Sequence, residues 1–457
     1  MKNLFFLISL LALQFVSAEV TPNTLFQNHM VLQRNQPIAV FGNADSEKSI
    51  EVTFKGKTYA TKVKDGYWKL FLDESEAGGP FDLIIKGKNT IVLSDVLVGE
   101  VWLCSGQSNM EMPIKGNIGQ PINGSNLAIL NSENSQIRLF KVGKVTAQTP
   151  LDSCEGTWKL AQPSTVKNFS ATAYFFGKML QEKLKVPIGL ITSSWGGTPA
   201  ESWTPKNIID SEFKGLKGFN NDSSKPQKHP SVLYNGMIHP LKPFTFKGVI
   251  WYQGEANKNY YQNYTQLFSS MIKSWRTEWD QGDFPFYFVQ IAPLGWGNNQ
   301  ANLREAQLNT MLSVPNTGMA VTLDIGEKEC IHPAEKQKVG ERLALWALAK
   351  NYGFEDIQYS GPVYKSMTTK ENVVTLQFDY APSGVFNFGK EMNSFKVAGA
   401  DKVFHKAEAK IANGKLEVWS DKVQEPVAVR YGWEAWVDGA LFNTSKLPAS
   451  SFRTDDW

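Results

Sequence analysis

Gly99-Glu-Val-Trp-Leu-Cys-Ser-Gly-Gln-Ser-Asn-Met-Glu-Met112 decides how the middle of this chain is read. Residues 101–104 form a short apolar run, as a strand buried on both faces should. The run breaks into Ser-Gly-Gln-Ser-Asn, which puts Ser108 on a tight turn with backbone amides at hand. Further along, 188–192, 248–252, 286–290 and 319–323 are runs of the same kind. Between them, apolar residues recur at helical spacing over 173–184, 260–279, 301–312 and 333–350. Short buried strands alternating with helices predict an α/β sandwich around a parallel sheet. The stretches 117–164 and 220–230 read as insertions into it.

Outward from this centre the pattern changes. Upstream, 49–54, 57–63, 67–71 and 81–85 alternate apolar with polar residues, with turn material at Asp65-Gly66 and Gly87-Lys88-Asn89. Downstream of about residue 352 the alternation returns at 373–378, 394–397, 415–419 and 427–431. The expected organisation is an N-terminal β domain over 19–98, an α/β domain over 99–352 and a C-terminal β domain over 353–457. Residues 1–18 stand apart. Lys2 precedes an apolar stretch over 4–16, and Val16-Ser17-Ala18 offers small residues for cleavage. The stretch falls short of the ~20 residues a membrane span needs, so it reads as a signal peptide rather than an anchor. The mature chain is expected to be periplasmic or secreted.

Composition narrows the function classes. Of 457 residues, 42% are hydrophobic and 20% charged, which is ordinary for globular domains. Basic and acidic residues nearly balance at 47 and 44, with no Lys or Arg run, which argues against a nucleic-acid partner. Three cysteines, Cys104, Cys154 and Cys330, make neither a disulfide framework nor a metal-finger spacing, although one pair is left open. His29, His229, His239 and His405 are scattered, and no Gly-rich phosphate loop is present. No metal and no cofactor are expected.

In an open parallel sheet, chemistry gathers at the carboxyl ends of the strands. Four such ends carry unusual residues. After the Ser108 turn come Thr192-Ser-Ser-Trp-Gly-Gly-Thr-Pro-Ala-Glu-Ser-Trp203, Ile250-Trp-Tyr-Gln-Gly-Glu-Ala-Asn257 and Asp324-Ile-Gly-Glu-Lys-Glu-Cys-Ile-His-Pro333. Paired glycines let a backbone N–H approach a ligand closely. Taken singly, each could be an ordinary loop. Ser108 lacks the Gly-x-Ser-x-Gly elbow of the α/β-hydrolases, and a Ser after a Gly is more often only a turn residue.

Together the four segments resemble the sequence blocks of the SGNH hydrolases, in their sialate O-acetylesterase-like branch. Tyr234-Asn-Gly-Met-Ile-His-Pro-Leu241 and Leu447-Pro-Ala-Ser-Ser-Phe-Arg-Thr454 extend the resemblance over nearly the whole mature chain. It implies a three-layer SGNH-type sandwich with a parallel sheet, flanked by β-sandwich-like domains. It also implies an exported serine esterase that removes O-acetyl groups from a carbohydrate without a cofactor. Sialic acid and plant polysaccharides such as xylan compete as substrates. Ser108 would be the nucleophile and His332 its base, with His239 left as a pocket-wall or structural residue. The N–H groups of Ser108 and Gly196 (or Gly197) would hold the oxyanion, helped by the amide of Gln253, which sits directly at its strand end, with Asn257 as the alternative. Glu329, three residues before His332, would orient the imidazole; Asp324, Glu327 or a plain Ser–His dyad are rivals. Trp195, Trp203, Trp251 and Asn257 are candidate substrate contacts. For the three tryptophans, packing beneath the loops is an equal alternative. A non-catalytic carbohydrate-binding protein is the contrasting reading, against which the intact Ser108, Gly196 and His332 speak.

Overall fold

The computed structural model describes residues 19–44, 49–215 and 223–457. The expected leader over 1–18 lies outside the described residues, as do 220–222 of the polar loop. The strand Thr90–Gly106 is the axis of the molecule, and its burial changes character along its length. As far as Asp95 it is partly exposed and pairs antiparallel with Gly78–Lys86. From Val96 onward every residue is buried. There the strand runs parallel between Ile188–Ser194 and Gly248–Tyr252. The expected division at 98/99 therefore falls inside one continuous strand.

The central sheet runs in the order Trp158–Ala161, Asn134–Lys141, Ile188–Ser194, Thr90–Gly106, Gly248–Tyr252, Phe286–Val289, Thr317–Ala320. All neighbours are parallel except the first pair. The stretch 117–164 is thus no insertion, because it supplies two strands. Its apolar run was masked by Arg138, buried between Ile137 and Leu139. That guanidinium makes a bidentate pair with Asp95 and also donates to His29 O. A charged residue inside a buried strand is tolerable only with such partners.

Side-chain alternation along Phe286–Val289 shows how the helices cover the sheet. Phe286 and Phe288 meet Phe268 of the helix Tyr264–Trp279. Tyr287 meets Trp346 of the helix Lys336–Asn351. Successive side chains of a strand point to opposite faces, so these two helices lie on opposite sides of the sheet. Trp102 joins Tyr287 and Phe176, which places the helix Ala171–Leu184 with Lys336–Asn351.

The flanking regions are β-rich, as expected. Val20–Pro22, Ile38–Ala44 and Tyr67–Leu72 form one N-terminal sheet. Ser49–Phe54 and Lys57–Lys62 extend the sheet begun by Gly78–Lys86. The C-terminal region is two four-stranded sheets. Among the described residues, no helix is long and apolar enough to cross a membrane.

Arg304, in the helix Gln300–Ser313, ties the last region to the α/β layer. It is wholly buried and donates to Ser451 Oγ at 2.8 Å, Gly432 O at 2.9 Å and Glu434 O at 2.6 Å. Each acceptor left unsatisfied in the interior costs roughly 1–3 kcal/mol. Arg304→Leu is expected to lower unfolding free energy by about 3 kcal/mol or more, read from the urea midpoint. A loss under about 1 kcal/mol would mean that the C-terminal region docks without it.

Candidate active site

Ser108 opens a one-turn helix, Ser108–Glu111, at the end of the axial strand. What lets the chain turn there is Gly106, at φ +135°. A Cβ on Gly106 would lie 2.2 Å from Tyr252 O, so only glycine allows the two strand ends to come this close. Gln107 then anchors the turn: its N–H donates to Tyr252 O, and its Oε1 faces the N–H groups of Gly254 and Ala256. Ser108 is left half-buried at the mouth of a cleft of about 380 Å³, whose lining includes Glu111, Lys141, Asn168 and His332. The structure thus brings Ser108 and His332 to one cleft from positions far apart in the sequence.

Gly196 completes this wall. A Cβ built on it would sit 3.4 Å from Ser108 Cβ. Its N–H donates at 2.7 Å to Glu111 Oε2, whose other oxygen is paired with Lys144. The N–H expected to face an oxyanion therefore already holds a carboxylate oxygen of the chain itself. Glu111 was missed in the sequence, although it lies three residues after Ser108 on the same helical turn.

The amides and aromatics are arranged differently from expectation. Gln253 Nε2 donates to Thr198 O at 3.2 Å and Asn257 Oδ1 at 2.6 Å, so both of its hydrogens are used within the scaffold. Asn257 is equally committed, accepting from Ala200 N and donating to Glu201. These two amides buttress the turn that carries Gly196 from beneath. Trp203 and Trp251 correct the expectation of sugar contacts: both are fully buried, packed edge to face with each other. Their indoles fill the layer beneath Tyr264–Trp279, where Trp251 meets Phe268 and Trp275. Trp195 is half-buried and carries the Lys144 ammonium over its ring at 5.3 Å.

The loop after Thr317–Ala320 delivers the histidine. Asp324 is held bidentate by Arg342, and Glu327 Oε1 accepts the Ala334 N–H at 2.6 Å. Glu329 is exposed and makes no hydrogen bond or ion pair among the described residues. Among the described residues, His332 Nδ1 is enclosed without a partner. His239 lies elsewhere, with Nδ1 on Leu151 O and its ring against Tyr234. All three cysteines are free thiols. Burial pushes the Cys154 thiol up to about 12 and the Cys104 thiol well above its ordinary value, which makes neither a nucleophile.

A strand-end serine, a histidine across a shared cleft and a backbone N–H holding an anionic oxygen are the parts of a carboxylic ester hydrolase. Residues 98–349 match the family described as carbohydrate esterase, sialic acid-specific acetylesterase, and the chain belongs to that family. The sialate O-acetylesterase of Mus musculus is 31% identical over 93% of this chain and 92% of its own length. That of Rattus norvegicus is 32% identical over 77% and 78%. Among solved structures, a carbohydrate acetylesterase from Xanthomonas citri is 39% identical, covering 96% of this chain and 100% of its own, with a TM-score of 0.89.

Burial, and then the nearby Lys336 charge, hold the His332 imidazole below its ordinary value of 6.5. An NMR titration should accordingly find His332 losing its proton at lower pH than a free imidazole, so that it is neutral at pH 7. A midpoint above 6.5 would contradict this environment.

Proposed function

We propose that Ser108 is the nucleophile and His332 the general base of this carbohydrate acetylesterase, within a three-layer SGNH-type sandwich. What supports the reading is the meeting of Ser108 and His332 at one cleft, against the anion-holding N–H of Gly196. Ser108 Oγ attacks the acetyl carbonyl carbon and its proton passes to the imidazole, through Nε2 because Nδ1 is enclosed. The negative oxygen formed is held by the N–H groups of Ser108 and Gly196, once Glu111 has yielded its place. His332 returns the proton to the departing sugar oxygen, leaving an acetyl-serine. Water, deprotonated by the same histidine, then releases acetate. Gln253 serves this oxyanion site by supporting the turn that carries Gly196.

Of the three acids on the histidine loop, Asp324 and Glu327 are committed elsewhere, and Glu329 is free to turn toward Nδ1. It is the proposed orienting carboxylate. Residues 1–18 support export as a signal peptide. Lys115 and Lys141 line the cleft, and Lys144 stands on Glu111 at its edge; this positive rim suits a sugar acid such as a sialate. A second reading, an acetylated polysaccharide, is favoured by a groove of about 690 Å³ that shares Glu111, Lys141 and Asn168 with the cleft. It gives room for a longer glycan than a single sugar.

Acetate release from O-acetylated sialic acid and from acetylated xylan separates the substrates. Ser108→Ala should lower turnover at least ~10³-fold on whichever is cleaved, without unfolding the protein. A variant keeping a tenth of wild-type activity would remove Ser108 from its role. Glu329→Gln should lower turnover strongly, by up to ~10⁴-fold. A Glu329→Gln enzyme within threefold of wild type would leave a Ser–His dyad as the better account.

A further inference from the structure

Beneath the cleft lies a polar cluster to which the reaction scheme gives no part. Asn109 and Lys336 are both wholly buried. Lys336 Nζ donates at 2.7 Å to Asn109 Oδ1 and at 2.7 Å to Pro333 O. Asn109 Nδ2 donates at 3.1 Å to Ile331 O and at 2.6 Å to Glu255 Oε1. Glu255 Oε2 is enclosed with no partner among the described residues. The two backbone acceptors are the carbonyls immediately before and after His332.

We propose that Asn109, Glu255 and Lys336 are positioning residues for the esterase reaction, a buried clamp that fixes His332 relative to Ser108 through the two carbonyls flanking the histidine. The proposal rests on the reading of His332 as base. Asn109 follows Ser108 directly in the chain, so the side chain gripping the histidine loop grows from the turn that carries the nucleophile. Fixing the pair in this way matters, because a misplacement of about 1 Å can cost ~10²-fold in rate. The orienting acid and the clamp act on different freedoms: Glu329 would set the ring, and the cluster sets the backbone that bears it.

Packing alone does not explain such a cluster. Burying an ammonium and a carboxylate is costly, and apolar residues of similar size usually serve stability as well or better. Lys336 instead replaces an apolar residue on the inward stripe of its helix, over the Tyr252 ring at 5.6 Å. Burial lowers its ammonium to about 7, with Glu255 opposing the shift, and the same burial raises the Glu255 carboxyl. Below pH 7 Lys336 is therefore charged, and its charge disfavours a second cation on His332. Other charged or titratable groups around the imidazole are Glu327, Glu329 and Cys330 on its own loop, Glu111 beside Ser108, and Lys115 and Lys141 of the cleft.

The test measures kcat and KM for a chromogenic acetate ester, thermal unfolding, and the NMR titration of His332. Lys336→Met should lower kcat at least ~10-fold with KM within threefold, and should move the His332 titration upward toward 6.5. Lys336→Arg, which keeps the charge, should restore part of kcat and hold the titration low. Asn109→Ala should lose kcat to a similar extent, and the Asn109→Ala/Lys336→Met double variant should be little worse than either single one. If Lys336→Met does not fold, Glu255→Gln, which keeps size and the bond to Asn109, should still lower kcat at least fivefold at unchanged KM. A folded Lys336→Met within twofold of wild-type kcat, or an unmoved His332 titration, overturns the proposal. An active His332→Ala enzyme would instead overturn the assignment of the base, so the two failures are distinguishable.

Discussion

The close approach of two strand ends at Gly106 and Tyr252 is the constraint on which the site depends. The axial strand is gripped by parallel neighbours on both sides up to its last residue, Gly106. A side chain there would strike Tyr252 O, forcing the central strands apart just where the chain must turn. Because the turn is tight, Ser108 emerges beside the carbonyl end of the sheet, and Asn109 is driven into the interior beneath it. Gly196 can then lie against Ser108, since Trp195 N–H bonds back to Gly106 O. Ser108, the anion-holding N–H of Gly196 and the support under the histidine loop thus share one geometric origin.

The C-terminal region is part of the same construction. Arg304, Gln290 and Thr322 join the sheet and the helix Gln300–Ser313 to one another and to the segment around Ser450-Ser451. The Asp324–Arg342 pair then fixes the start of the histidine loop. The loop is therefore held at its beginning by an ion pair and beside His332 by the buried cluster. The acid between them, Glu329, is left in solvent.

How much of this could be read in the sequence varied with the physical signal. Apolar runs ending in Gly-Gln-Ser or Gly-Glu announced buried strands and the turns at their ends, because a fully buried strand needs no alternation. The same logic hid Asn134–Lys141, where Arg138 interrupts the run and its burial rests on Asp95 and on the carbonyls of His29 and Ser135. Trp203 and Trp251 flank motif glycines just as Trp195 does, and a sequence does not distinguish a ring packed below a loop from one at its surface. Gln253 stands at a strand end, as an oxyanion amide should, yet its hydrogen bonds turn inward. Lys336 was readable in principle, since it lies on the buried stripe with Val339, Leu343 and Ala347, where a lysine is out of place.

Glu111 gives the resting cleft a chemical selectivity of its own. An ester carbonyl is a weaker acceptor than a carboxylate, so in the ground state it gains little by displacing Glu111 from the Gly196 N–H. The exchange becomes favourable only as the carbonyl oxygen acquires negative charge. If Gly196 serves the oxyanion as proposed above, the donor is withheld from the bound substrate and made available to the transition state, which is the condition for binding energy to speed turnover rather than tighten the Michaelis complex. Product acetate meets the same intramolecular competitor on its way out, and an anion already tethered in place leaves it little to hold.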